Sequence, residues 1–122
     1  MILLEPLRDK NVVIVTPQGP LEQADFEAIA KEIEPAIASN GKVSGLMINI
    51  KYFPGWQNLA AISAHLKFVA NYNRAIERIA VVTNNSLLSI VPGIAGYFVH
   101  PQIRLFDSGQ TEQALSWLET GR

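Results

Sequence analysis

From Ile79 through Ile103 the chain carries no formal charge, twenty-five positions in a row. Residues 52 to 103 hold only Lys67, Arg74, Glu77 and Arg78, while seventeen charges are spread over the other 70 positions. A buried strand accounts for a few uncharged residues. A run of this length raises the question of a membrane span, which needs about 20 apolar residues. Thr83-Asn84-Asn85-Ser86 interrupt the run early, and Pro92-Gly93 break its second half. The opening Met1-Ile2-Leu3-Leu4 meets Glu5-Pro6 without a basic flank, which is not the pattern of a secretory signal. The expectation is a cytoplasmic chain whose contact with a membrane, if any, is peripheral.

Length and composition narrow the class. The 122 residues suit one domain, 1–122. With no cysteine, disulfides, thiolate metal sites and cysteine nucleophiles are excluded. Ten basic and eleven acidic residues leave a net charge of -1, so no global field draws in nucleic acid. Apolar residues make up 48% of the chain, enough for a packed core.

Along the chain, Ile2–Leu7 and Val12–Thr16 are apolar and β-branched around Arg8-Asp9-Lys10-Asn11, which predicts a hairpin. Pro17-Gln18-Gly19-Pro20 leads into a helix over about Leu21–Ser39. Phe26, Ile29, Ala30, Ile33 and Ile37 recur there at helical spacing, with Glu22, Asp25 and Glu27 in its first turns. Its acids, Glu32 and Glu34 included, suggest a solvated face. Pro35 should kink this helix or start a second short one, and Asn40-Gly41 is a stop signal. Strands are expected at Val43–Ile50, Arg78–Thr83 and Ile103–Phe106, the middle one nearly all apolar as in a parallel sheet. Further helices are expected at Leu59–Tyr72, Ser86–Val99 and Gln110–Thr120, the last facing inward with Ala114, Trp117 and Leu118. The order ββαβαβαβα predicts an α/β domain with a mixed, mostly parallel five-stranded sheet flanked by helices.

Two of these helices are too apolar for a simple sheet-packing role. In the second, Leu59, Ile62, Leu66 and Val69 form the stripe expected to pack on the sheet, and Ser63, Lys67 and Asn71 hold a narrow polar arc. A shoulder of Ala61, His65, Phe68 and Tyr72 widens the apolar arc to about 200°, where a docked helix needs somewhat more than about 100°. In the third, Leu87, Leu88, Val91, Ile94 and Phe98, with Ile90, Ala95, Tyr97 and Val99, point in nearly every direction. Pro92 and Gly93 lie in its middle, where proline costs about 3 kcal/mol and glycine about 1 relative to alanine. They are either an ordinary kink or a hinge that opens a cavity between the second and third helices.

Several segments, in order, carry a resemblance: Gly19-Pro20-Leu21 before Asp25-Phe26, Ile33-Glu34-Pro35, Asn40-Gly41-Lys42-Val43 and Phe53-Pro54-Gly55-Trp56. Leu66-Lys67-Phe68, Glu77-Arg78-Ile79-Ala80-Val81-Val82, Arg104-Leu105-Phe106-Asp107 and Ala114-Leu115-Ser116-Trp117-Leu118 complete the series. The chain resembles the small bacterial SpoIIAA-like proteins, which share a fold with STAS domains and CRAL-TRIO lipid carriers. The resemblance implies a sheet wrapped by helices, no cofactor, and binding of nonpolar molecules by analogy with the carriers. Where the family pattern often has acids in the second helix, this chain has Ser63-Ala64-His65. STAS domains that antagonise anti-sigma factors carry a phosphorylated serine at a helix start after a strand. The matching place, about Phe53 to Asn58, has no serine, so a phosphoswitch is disfavoured.

Reactive constellations are scarce. Ser63, Ser86 and Ser89 lack a Gly-x-Ser-x-Gly elbow, and Ser63 and His65, two apart on one helix, point in different directions. His65 and His100 are therefore given no catalytic role. Metal-ligand spacings are absent, and Pro92-Gly93-Ile94-Ala95-Gly96 lacks the lysine of a phosphate loop. No catalytic residue and no metal ligand is assigned.

The expected function is a non-enzymatic carrier or binding module for a nonpolar, lipid-like ligand. Leu59, Ile62, Leu66 and Val69 would form one wall, with Leu87, Leu88, Val91, Ile94 and Phe98 as a mobile wall hinged at Pro92-Gly93. Membrane contact would be reversible, and the apolar helices could also pair two copies of the chain. The alternatives are an interfacial hydrolase and a STAS-type protein-interaction or regulatory domain lacking the phosphoserine.

Overall fold

The computed structural model describes residues 1–51, 54–84 and 101–122. The helix expected at Ser86–Val99, with Leu87, Leu88, Val91, Ile94, Phe98 and the Pro92-Gly93 pair, lies outside the described residues.

Within them, β1 (Ile2–Leu7) and β2 (Val12–Pro17) form the expected antiparallel hairpin. Next come β3 (Val43–Asn49), β4 (Ile76–Thr83) and β5 (Gln102–Asp107), each parallel to the strand before it. The sheet order is β1-β2-β3-β4-β5, so chain neighbours are also neighbours in space. The helices are α1 (Gln23–Asn40), α2 (Leu59–Tyr72) and α3 (Thr111–Thr120). The expected α/β architecture is present, with strand and helix ends within two residues of their sequence positions.

Consecutive parallel strands joined by right-handed crossovers place their helices on one face of the sheet. The core follows that rule. On one face Ile29 and Ile33 of α1, with Phe68 and Tyr72 of α2, pack over Val13, Val15, Val43 and Leu46. On the other, Ala114, Trp117 and Leu118 of α3 pack over Val12, Met47, Ala80, Val82 and Phe106. The alternation of Val12 and Val13, or of Leu46 and Met47, between faces is the period-2 geometry of a strand. Helix α3 comes so close to the sheet that a Cβ on Gly45 would lie 2.5 Å from Leu118 Cδ2.

Short-range chemistry sets the ends. Asn11 closes the hairpin in the left-handed region at φ 57, and its amide donates to the Lys42 carbonyl. Gly41 ends α1 at φ 82, where a side chain would be strained, with its N–H on the Ile37 carbonyl. Pro35 does not start a second helix, and α1 runs through it to Asn40. Both Pro35 and Lys31, whose carbonyl loses its i+4 donor there, are exposed, so water can satisfy the orphaned oxygen. The first helix is also not a purely solvated acidic face. Asp25 is 6% exposed, accepting the Glu22 N–H at 2.8 Å and the Met1 amino group at 3.1 Å.

The outer strand β1 contains Pro6. Gln18 N–H bonds the Met1 carbonyl, so by antiparallel alternation Leu3, Glu5 and Leu7 point their backbone groups at β2. Ile2, Leu4 and Pro6 then point theirs away from the sheet. Proline has no N–H to offer at that free edge, which blunts it against pairing with another strand.

Candidate functional site

Helix α2 spans the residues expected of it, and Asn58 explains its start: the side-chain oxygen accepts the Ala61 N–H at 2.9 Å. Its orientation differs from the sequence expectation. The shoulder Ala61, His65, Phe68 and Tyr72 faces the protein, and the stripe expected to meet the sheet faces outward. Ala61 is fully buried, while Leu59 is 82%, Leu66 67% and Val69 47% exposed; Ile62 is half-buried.

The reason is ring packing. Phe26 of α1 stacks on the His65 imidazole with centroids 4.8 Å apart and planes 21° from parallel, and lies 6.2 Å from Phe68. Phe68 in turn lies 4.9 Å from Tyr72, whose hydroxyl donates to Glu34 Oε2 at 2.9 Å. That bond pushes the Tyr72 hydroxyl above its ordinary value. Aromatic pairs at such spacings contribute about 0.5–1.5 kcal/mol beyond burial. A chain of them outweighs the branched aliphatics in choosing which half of a wide apolar arc docks. Trp56, just before the helix, donates its indole N–H to His65 Nδ1 at 3.2 Å.

Where α1 and α2 diverge they leave an open groove of about 410 Å³. Phe26, Phe68 and Tyr72 line it together with Glu27 from α1 and Lys67 and Ser63 from α2. None of Leu59, Ile62, Leu66 or Val69 lines it. The candidate ligand wall is therefore an uncovered helix surface among the described residues, and its proposed opposite wall lies outside them. Beside this stripe the same sheet face continues through Val81, Ile103 and Leu105. Ile79 packs in the α1-side core, Val81 is two residues on, and the β5 partners of Ile79 and Val81 are Ile103 and Leu105. All three are half-buried.

Ser63 and His65 point apart, Ser63 onto the groove and His65 onto Phe26 and Trp56. Among the described residues no group of three or more His, Asp or Glu side chains could hold a metal ion. None of the described helices is long and apolar enough to cross a membrane. Sequence reasoning missed two features of this region: the burial of Asp25 and the His65–Trp56 bond. The Trp56 and His65 spacing of nine residues across a helix start was the one local signal for the latter.

Four parallel strands wound in chain order, a hairpin on one edge and helices on both faces define an α/β domain with the SpoIIAA-like fold. Residues 12–119 match the SpoIIAA-like family, and the chain belongs to it. A solved structure with the same fold is an uncharacterized protein of the DUF3478 family from Shewanella loihica PV-4. It is 22% identical, with a TM-score of 0.72 over 97% of this chain and 92% of that one. At that identity the likeness concerns the fold. No curated protein matches the chain.

Proposed function

We propose that the domain is a regulatory protein-interaction module that docks a partner protein on the outer face of α2. The observation that carries this is the exposed series Leu59, Leu66 and Val69, continued by half-buried Ile62. Its spacing of three, four and three residues is that of a helical seam, which suits an amphipathic partner helix laid along it. Contiguous apolar surface of this kind usually marks an interaction site. Membership of the SpoIIAA-like family supports the same class of role, and the absence of a serine from 53 to 58 sets this chain apart from phosphoserine-switched relatives of the fold.

A photo-crosslinking residue in place of Leu66, compared with one in place of exposed Gln113 on α3, tests the proposal in cells. A discrete protein adduct at 66, absent at 113 and lost in Leu59→Asp/Val69→Asp, is the expected result. The finer carrier reading, a nonpolar lipid-like ligand held on the same stripe, rests on the same exposed residues. Native mass spectrometry separates the two. A surplus of a few hundred daltons that extracts into organic solvent supports the carrier, and a clean mass with a protein adduct supports the interaction module. A homodimer would overturn both by covering the stripe with a second copy.

A further inference from the structure

The contacts around His65 fix which of its ring nitrogens carries the proton. Trp56 reaches His65 from the β3–α2 connection, and an indole N–H can only donate. The imidazole Nδ1 at 3.2 Å must therefore be the bare, accepting nitrogen, with the ring proton on Nε2. On its other side the ring is stacked on Phe26, 4.8 Å away. The same connection is tied to the start of α1 by two backbone bonds: Leu21 N–H to the Gly55 carbonyl and Gln57 N–H to the Leu21 carbonyl, both 2.8 Å. Three pieces of chain, the first turns of α1, the β3–α2 connection and the middle of α2, thus meet around one imidazole.

We propose that protonation of His65 is a switch that releases Trp56 and loosens the connection at residues 54–58 from α1. A proton on Nδ1 turns the acceptor into a donor facing the indole donor, so the bond cannot survive in that geometry. The imidazolium keeps the attraction of the Phe26 face, so it is the indole N–H of Trp56 that has to turn away from the new donor. From α1, the nearby charged groups are Glu22, Asp25 and Glu27. Glu22 and Asp25 are bound to the Met1 amino group, and Glu27 accepts from Gln23 on the groove side. Residues 54–58 carry no charge, and α2 carries Lys67, which lines the groove. Burial accordingly pushes His65 below its ordinary value, which places the switching range on the acid side of neutrality.

The switch goes beyond the docking reading: it is built from His65, Trp56 and Phe26, none of which belongs to the exposed stripe, although His65 borders Ile62 and Val69 on the helix surface. Its test is the indole N–H resonance of Trp56, followed by NMR from pH 8 to 4.5 and assigned with Trp56→Phe; Trp117 on the opposite sheet face is the internal control. The expected result is a one-proton upfield shift of the Trp56 signal with a midpoint below about 6.5. Over the same range, amide exchange at Gln57, corrected for the intrinsic pH effect, should quicken by about tenfold, as for the loss of one hydrogen bond. In His65→Gln, whose side-chain oxygen can keep accepting the indole, both responses should vanish. A Trp56 signal that does not titrate overturns the proposal, as does one that titrates unchanged in His65→Gln, which would trace it to another group.

Discussion

The two faces of the sheet are closed by different means. One short helix, α3, seals its face with Ala114, Trp117 and Leu118, all at most 7% exposed, and it sits so low that only glycine fits beneath it at position 45. Among the described residues, the opposite face carries two longer helices that seal less. Their rings lock α1 to α2 through Phe26, His65, Phe68 and Tyr72, while Leu59 and Leu66 remain largely exposed. Close packing on one side anchors the described fold, and among the described residues the other side carries exposed apolar side chains that add little to stability.

The largest effect that would break this contrast is on the sealed face. Leu118→Ala removes a fully buried side chain and should cost about 2–5 kcal/mol in urea unfolding. A loss under about 1 kcal/mol would mean α3 is not the rigid side. Gly45→Ala comes next. Its Cβ would lie 2.5–3.0 Å from three atoms of Leu118, a fully buried side chain whose Cβ is among them. An overpacking loss of about 1–3 kcal/mol is expected by thermal melts. The ring-locked face should be marked by pH instead. His65 binds its proton more weakly folded than unfolded, so the unfolded chain takes up protons first as pH falls. Stability should be full above the unfolded histidine range near 6.5 and decline as pH drops toward the lower folded value, levelling off below it. Denaturant midpoints of the wild type and His65→Gln would separate this from the titration of carboxylates at lower pH. Smallest of all, Leu59→Ser and Leu66→Ser should move stability by no more than about 0.5 kcal/mol. A larger loss in either would show that the stripe is part of the core.

Most of the architecture was legible in the chain because its signals are local. Apolar β-branched runs marked the strands, Asn40-Gly41 ended α1, and Asn58 stands one residue before α2. The faces of α2 were not legible. An apolar arc near 200° leaves the docking direction undetermined, and it was settled by Phe26, 39 positions before His65. Asp25 looked like one of several surface acids for the same reason, since its partner Met1 lies 24 residues away. Of the two outcomes expected at Pro35, a second helix does not occur: α1 continues to Asn40, and the exposed turn leaves the Lys31 carbonyl open to water.

The strand order has a consequence for how the protein is made. Because β1 to β5 lie side by side in the order in which they are written, a ribosome delivers each new strand to an edge that already exists. No strand has to wait for a later one to be threaded between its neighbours. The exception is the face under α3, whose cover follows β5 instead of preceding it. Until Thr111–Thr120 has left the exit tunnel, Met47, Ala80 and Val82 lack the cover that Ala114, Trp117 and Leu118 give them. The nascent domain thus exposes this face to chaperones and to aggregation between the emergence of β5 and that of α3.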